Sequence, residues 1–181
     1  MTSVLFLVLG LGGPAAAIAF ILILNKRIMK YDPGTEKMQK IAGQIRQGAM
    51  AFLKTEYSVL AVFVVAVFIL LGTMLPKGGW ETAISFVIGA AASATAGWIG
   101  MRTATASAVR TTQAACSSLA SALTVAFSSG AVMGLTVVAL GTLGITILYS
   151  LWGGLGDDGR SASDFIFGFS LGASSIALFA R

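Results

Sequence analysis

Side chains capable of acid–base, nucleophilic or metal chemistry are scarce in this sequence of 181 residues. It contains no histidine, which excludes Ser-His-Asp catalysis, histidine-ligated zinc and histidine proton relays. The single cysteine, Cys116, has no evident base nearby to activate it, so we expect a buried packing residue. Asp157 and Asp158 stand within the run GGLGDDG, which is typical of a solvated turn rather than a metal site.

One cation has a position that invites a functional interpretation. Arg181 follows the apolar segment FGFSLGASSIALFA, in which Ser170 and Ser174 fall on the same helical face as the arginine. A polar stripe on an otherwise apolar helix suits the lining of an ion pathway. On the residues alone a second interpretation stays open, in which Arg181 snorkels to the membrane surface and the serines bond to the helix backbone.

Composition identifies the elements that must hold these residues. Hydrophobic residues make up 56% of the chain and charged residues 10%, a balance that a soluble domain cannot bury and a bilayer requires. We therefore predict an all-α fold, a polytopic transmembrane helix bundle in a lipid bilayer. The net charge of +5 does not indicate nucleic-acid binding, because the basic residues crowd into one segment between spans.

Five apolar stretches predict five membrane spans. They lie at about residues 3–24, 57–75, 82–101, 116–151 and 165–181. The first is expected to be a retained helix rather than a signal peptide, because it is long and lacks a basic region before it. The fourth exceeds one bilayer crossing and is expected to project from the membrane as one helix. Residues 102–113 and 153–164 are expected to connect spans, and all seven acidic residues are expected in loops or at helix ends.

The segment between the first two spans predicts an amphipathic helix at about residues 35–56. Thr35 suits an N-cap with Glu36 in the first turn, and apolar residues recur after it at helical spacing. Such a helix can lie on lipid headgroups. Seven of the twelve basic residues fall between the first two spans, which places this segment and residues 102–113 in the cytoplasm and the N-terminus outside.

Small residues recur at four-residue spacing in the last three spans, a pattern that predicts close contact between helices. The sets are Gly89, Ser93 and Gly97, then Gly130 and Gly134, then Gly168 and Gly172.

Four segments carry a resemblance to a known family. They are IAGQIRQGAMAFLKTEY from Ile41, IGMRTATASAVRTTQAA from Ile99, ALTVAFSSGAVMGL from Ala122 and FGFSLGASSIALFAR from Phe167. These segments resemble the membrane-bound, ion-pumping inorganic pyrophosphatases, in the same order and over nearly the whole chain. The resemblance implies an N-terminal fragment, about five helices of a fold with about sixteen.

The resemblance also implies a reaction and its participants. In the family, water activated between aspartates hydrolyses pyrophosphate, Mg²⁺ neutralises phosphate charge, and the reaction drives export of protons or sodium. The family's metal-binding aspartates lie in later segments, so this stretch is expected to hold no catalytic or metal-ligating residue and to be inactive alone. The family's corresponding arginine belongs to the ion gate and coupling region, which implies that role for Arg181 and, through its shared face, for Ser174.

The resemblance further implies a homodimer in the cell (inner) membrane with no nucleic-acid partner. The alternative is a complete small polytopic protein, a scaffold or channel-like subunit without enzymatic activity. A glycine-rich turn followed by aspartates beyond Arg181 would favour the pump. Proton or sodium specificity and potassium dependence are set in the family by later helices.

Overall fold

Five α-helices form the part of the chain that the computed structural model describes, residues 2–75, 78–152 and 159–179, with side chains for 5–75, 78–152 and 166–178. The helices are α1 (Thr2–Met29), α2 (Glu36–Met74), α3 (Gly79–Ala115), α4 (Leu119–Leu151) and α5 (Gly159–Phe179). These described ranges contain no strand, and the predicted all-α class is confirmed.

The helices have the length and surface of membrane spans. Helices α1 to α4 are each long and apolar enough to cross a bilayer, whereas the described apolar part of α5 is the shorter Ile166–Leu178. Val62, Phe127 and Leu178 each leave more than 70% of their surface uncovered. Water would not tolerate so many exposed apolar side chains, but lipid or further helices would cover them. The chain is therefore a multi-pass membrane protein.

Helix α3 is the centre of the bundle. It packs against α2, α4 and α5, and α1 packs mainly against α4. Phe86 of α3 is completely buried in a cluster with Leu71 and Ala83, where α2 and α3 meet. A second cluster, around Ile28 and Val125, joins the end of α1 to α4.

Helix α2 joins the predicted amphipathic helix and the predicted second span into one continuous helix of 39 residues. Thr35 caps its N-terminus, since its side-chain oxygen accepts a hydrogen bond from the Met38 N–H at 3.4 Å. The N-cap prediction is confirmed, and no break separates the polar half from the apolar half.

The expectation of a connecting segment at residues 102–113 is wrong, because α3 continues through it to Ala115. Hydropathy falls at Arg102, but the stretch contains no glycine or proline that would stop a helix. The actual turn follows Ala115, and Ser118 caps α4 by accepting a hydrogen bond from the Ser121 N–H at 3.1 Å.

Two further expectations, about residues near helix ends, are wrong. Cys116 is exposed rather than buried, because it lies in the turn after α3 instead of inside an apolar span. Helix α5 begins at Gly159, so residues 159–164 are helical rather than part of a hairpin. Asp157 and Asp158 lie outside the described residues.

The small-residue pattern predicts some helix contacts and misses others. Gly168 and Gly172 lie directly against the backbone of α3, and so does Gly89 against α5, as predicted. Gly130 and Gly134 of α4 face open space within the described part of the chain, so the predicted contact is absent there.

Candidate functional site

The packed face of α5 fixes how this helix is rotated in the bundle. A Cβ atom at Gly172 would collide with the Phe86 carbonyl oxygen and lie 2.9 Å from the Ala90 backbone nitrogen. A Cβ at Gly168 would likewise collide with the Thr82 carbonyl oxygen. Only glycine permits such close approach, so the face bearing Gly168, Gly172 and the buried Ile176 must turn toward α3.

The opposite face of α5 carries the serines singled out in the sequence. Ser170 and Ser174 are both exposed, one helical turn apart, on the side away from the two glycines. Their neighbour Ser175 donates its hydroxyl to the Leu171 carbonyl oxygen at 2.8 Å. The structure thus brings the two serines together on an uncovered face. Arg181 lies outside the described residues.

The carboxylates of the described part are dispersed. Asp32, Glu36, Glu56 and Glu81 lie in the first connection, in α2 and at the start of α3, and no group of three potential metal ligands occurs among the described residues. A Mg²⁺ ion bound to phosphate needs at least one or two carboxylates directed at the same point. These residues do not form such a site.

The expectation that every acidic residue lies in a loop or at a helix end is wrong for Glu56. It lies in the middle of α2, because the predicted amphipathic helix and second span are one helix. Its Oε2 atom is buried and has no hydrogen-bond partner. This oxygen is therefore available as a partner for a cation or a polar group.

Interhelical hydrogen bonds are polar contacts that the sequence did not predict. Ser107 of α3 and Ser129 of α4 bond through their hydroxyl oxygens at 2.7 Å, and both side chains are buried. The Tyr57 hydroxyl of α2 donates to the Ala94 carbonyl oxygen of α3 at 2.7 Å. The sequence signal that could have indicated a polar helix face was the i, i+4 spacing of Thr103 and Ser107. Both residues lie on α3 because this helix continues past Arg102.

Long apolar helices, glycine-mediated contacts and a few buried hydroxyl bonds define a tightly packed, multi-pass membrane protein with an uncovered serine-bearing face on α5. Comparison with known families gives the class a name. The family model described as inorganic H⁺ pyrophosphatase matches residues 15–181, and the chain belongs to this family.

Curated relatives support the same assignment. The chain is 48% identical over 97% of its length to a putative K⁺-stimulated pyrophosphate-energized sodium pump of Clostridium tetani. It is 42% identical over 98% of its length to K⁺-insensitive pyrophosphate-energized proton pump 2 of Moorella thermoacetica. It is 39% identical over 91% of its length to a K⁺-insensitive pyrophosphate-energized proton pump of Methanosarcina mazei. The chain spans 25%, 25% and 23% of these three relatives, about a quarter of their length.

Proposed function

We propose that this chain is the N-terminal helical part of a membrane pump that couples hydrolysis of pyrophosphate to translocation of protons or sodium ions. The observation that carries the proposal is the family match over residues 15–181, together with relatives that are named as pyrophosphate-energized pumps. The alternative of a small scaffold or channel-like subunit has no comparable support.

Within that pump, α5 contributes to the ion pathway. Its glycine face is committed to α3, so the face with Ser170 and Ser174 is free to meet water or further helices. Arg181 follows Ser174 by seven residues, which places it on the same face if the helix continues. A cation and hydroxyl groups in line along an apolar helix can hold water and transferred ions where hydrocarbon could not.

The whole pump requires groups that this part does not supply. Pyrophosphate hydrolysis in the family implies Mg²⁺, and its ligands must come from outside the described carboxylates. The proposed orientation places the basic segment between α1 and α2 in the cytoplasm and the N-terminus outside, in the cell membrane. The proposed assembly is a homodimer.

The transported ion is a separate question. Relatives named as a sodium pump and as proton pumps match this chain at 48%, 42% and 39% identity. These values are too close to select one ion. The proposal therefore names both cations and assigns the choice to experiment.

The decisive test reconstitutes the full-length protein into sealed vesicles and adds Mg²⁺ and pyrophosphate. We expect phosphate release accompanied by either a pH gradient or ²²Na⁺ uptake, each measured with and without K⁺. The 181-residue stretch alone is the control, and we expect it to release no phosphate. Full-length protein that neither hydrolyses pyrophosphate nor moves ions would exclude the pump and favour the scaffold.

A further inference from the structure

A polar cavity of about 800 Å³ opens at the end of the bundle where α1 ends and α2 begins. Three arginines line it, Arg46 from α2 and Arg102 and Arg110 from α3, together with Asn25 from α1. No carboxylate is among the lining residues. Three positively charged lining residues with no carboxylate among them make the cavity positive, which favours an anion.

Two buried polar atoms in the lining residues lack a partner. The Arg110 Nε–H has no acceptor, although the Nη1 of the same side chain donates to the Ala106 carbonyl oxygen at 2.7 Å. The Asn25 Oδ1 has no donor. Buried polar groups are nearly always hydrogen-bonded, so each of these atoms calls for a ligand atom. An anionic oxygen would satisfy the arginine, and a hydroxyl would satisfy the asparagine.

Arg102 is held with its donors free. Its guanidinium carbon lies 5.3 Å from the centre of the Trp98 ring, a cation–π contact. The N–H donors lie in the plane of the guanidinium and stay available to an acceptor. A planar fork of this kind matches the oxygens of a phosphate group.

The nearby carboxylate of Asp32 is already engaged. It accepts hydrogen bonds from the Gly34 N–H at 2.9 Å and from the Gln113 side-chain amide at 3.3 Å. These bonds order the connection between α1 and α2 and tie it to the end of α3. Asp32 is not among the residues that line the cavity, so it does not fill the role of the anion.

The cavity lies where the apolar parts of α1 and α3 end. Asn25 directly follows the apolar part of α1, and Arg102 directly follows the apolar part of α3. Trp98, one turn before Arg102, also lines the cavity, and tryptophan is enriched at membrane interfaces. Basic pockets between helices at this level suit anionic headgroups.

We propose that this cavity binds a phosphate group, with Arg46, Arg102 and Arg110 as donors and Asn25 as acceptor for a hydroxyl. Such a group is carried by the headgroup of an anionic phospholipid, such as phosphatidylglycerol, and equally by free inorganic phosphate. The proposal requires a membrane protein but does not depend on pumping.

The test uses full-length protein, purified in mild detergent and stripped of lipid. Native mass spectrometry measures retention of phosphatidylglycerol against diacylglycerol with the same acyl chains, which lacks the phosphate. Equilibrium dialysis with labelled orthophosphate tests the free anion. We expect the variant R102Q/R110Q to lower the affinity for at least one of these phosphates about tenfold or more, since charge-assisted hydrogen bonds are lost.

The control is Arg27→Gln, which removes one arginine charge from an exposed position outside the cavity and matches the single variant Arg46→Gln charge for charge. Loss of phosphatidylglycerol in R102Q/R110Q but not in Arg27→Gln identifies a lipid site, and the same difference with orthophosphate identifies a free-anion site. If R102Q/R110Q fails to fold, Arg46→Gln replaces it, because Arg46 is exposed, with an expected loss of severalfold. Equal retention of both ligands by the cavity and control variants overturns the proposal.

Discussion

At the scale of single residues, many hydroxyl groups of the described helices form hydrogen bonds within the bundle, and few charged groups lie there. Thr136 donates to the Val132 carbonyl oxygen at 2.7 Å, one helical turn before it, and Ser107 bonds to Ser129 across the helix interface. Bonds of this interhelical kind contribute about 0.6 kcal/mol each on average in membranes. Ser174 is exposed on α5, and Arg181 is predicted to share its face, which makes these two the residues to test.

The residue-scale prediction concerns Arg181→Ala in the full-length protein. An arginine within a membrane costs ~2.5–3.5 kcal/mol on insertion scales, so it should persist only with a carboxylate or water beside it. Its removal should leave a gate carboxylate unpaired and lower ion transport by about tenfold or more, at least as severely as hydrolysis. Arg181→Lys should restore only part of the loss, since an ammonium lacks the planar fork. Ion uptake and phosphate release are measured side by side.

Arg27→Ala is the control, because Arg27 is an exposed arginine near the end of α1, where snorkelling suffices. We expect this variant to pump normally. If Arg181→Ala also pumps and hydrolyses like the parent, Arg181 is an anchor and α5 has no gate residue there. Glu56 of α2, whose Oε2 atom is buried without a hydrogen-bond partner, is the first described carboxylate to examine as its partner.

At the scale of elements, the contact between α3 and α5 depends on glycine. The two helices approach until Gly89 meets the backbone at Phe169, and Gly172 meets the backbone at Phe86. Two glycines thus allow backbone-to-backbone contact from both sides of one interface. The proposed orientation of the serine face depends on this contact.

We predict that Gly172→Ala destabilises the protein by roughly 1–3 kcal/mol, because the added methyl group forces α5 away from α3. Gly12→Ala in α1 is the matched control, since no described atom beyond its chain neighbours and its own helix backbone lies within 4 Å of its Cβ position. The control should be neutral or gain about 0.5–1 kcal/mol from better helix propensity. Thermal unfolding in detergent, followed by tryptophan fluorescence, measures both. If the unfolding midpoint temperature of Gly172→Ala were as high as that of Gly12→Ala, the interface between α3 and α5 would be loosely packed.

Hydropathy predicted the number and order of the helices but not their ends. It reports where lipid contact stops, as at Arg102, whereas the helix stops where the backbone chemistry changes, at Ala115. Capping chemistry did better, because Thr35 bonds to a backbone N–H only three residues away. An interaction can be predicted from the sequence when its two partners are close along the chain.

The sites were less predictable than the elements. The spacing of Ser170 and Ser174 sufficed to place them on one face, but not to show that this face is uncovered. The arginine cavity combines α1, α2 and α3, and its residues are separated by up to 85 positions, from Asn25 to Arg110. Only the packing of three helices brings them together. Cys116 was wrongly predicted to be buried, because its burial depends on where α3 ends.

At the scale of the whole molecule, charge is distributed unevenly between the two ends of the bundle. Seven of the twelve basic residues lie between Lys26 and Lys54, at the end that also includes Arg102 and Arg110. The opposite end has only Lys77, between α2 and α3, and Arg160, at the start of α5. This asymmetry is the physical basis of the proposed orientation, because basic segments are retained on the cytoplasmic side during insertion.

The final prediction tests that orientation with two cysteines at opposite ends of α2. Lys37→Cys and Leu75→Cys are each placed in a Cys116→Ala background, which is necessary because Cys116 is exposed and would itself react. Both positions are exposed. In intact cells, a membrane-impermeant maleimide should label Cys at 75 and not at 37, and inside-out vesicles should reverse the pattern. Six of the seven basic residues remain in the Lys37 variant, so the topology signal is kept. Labelling of position 37 from the outer face would invert the topology, and it would place the arginine cavity on the external surface.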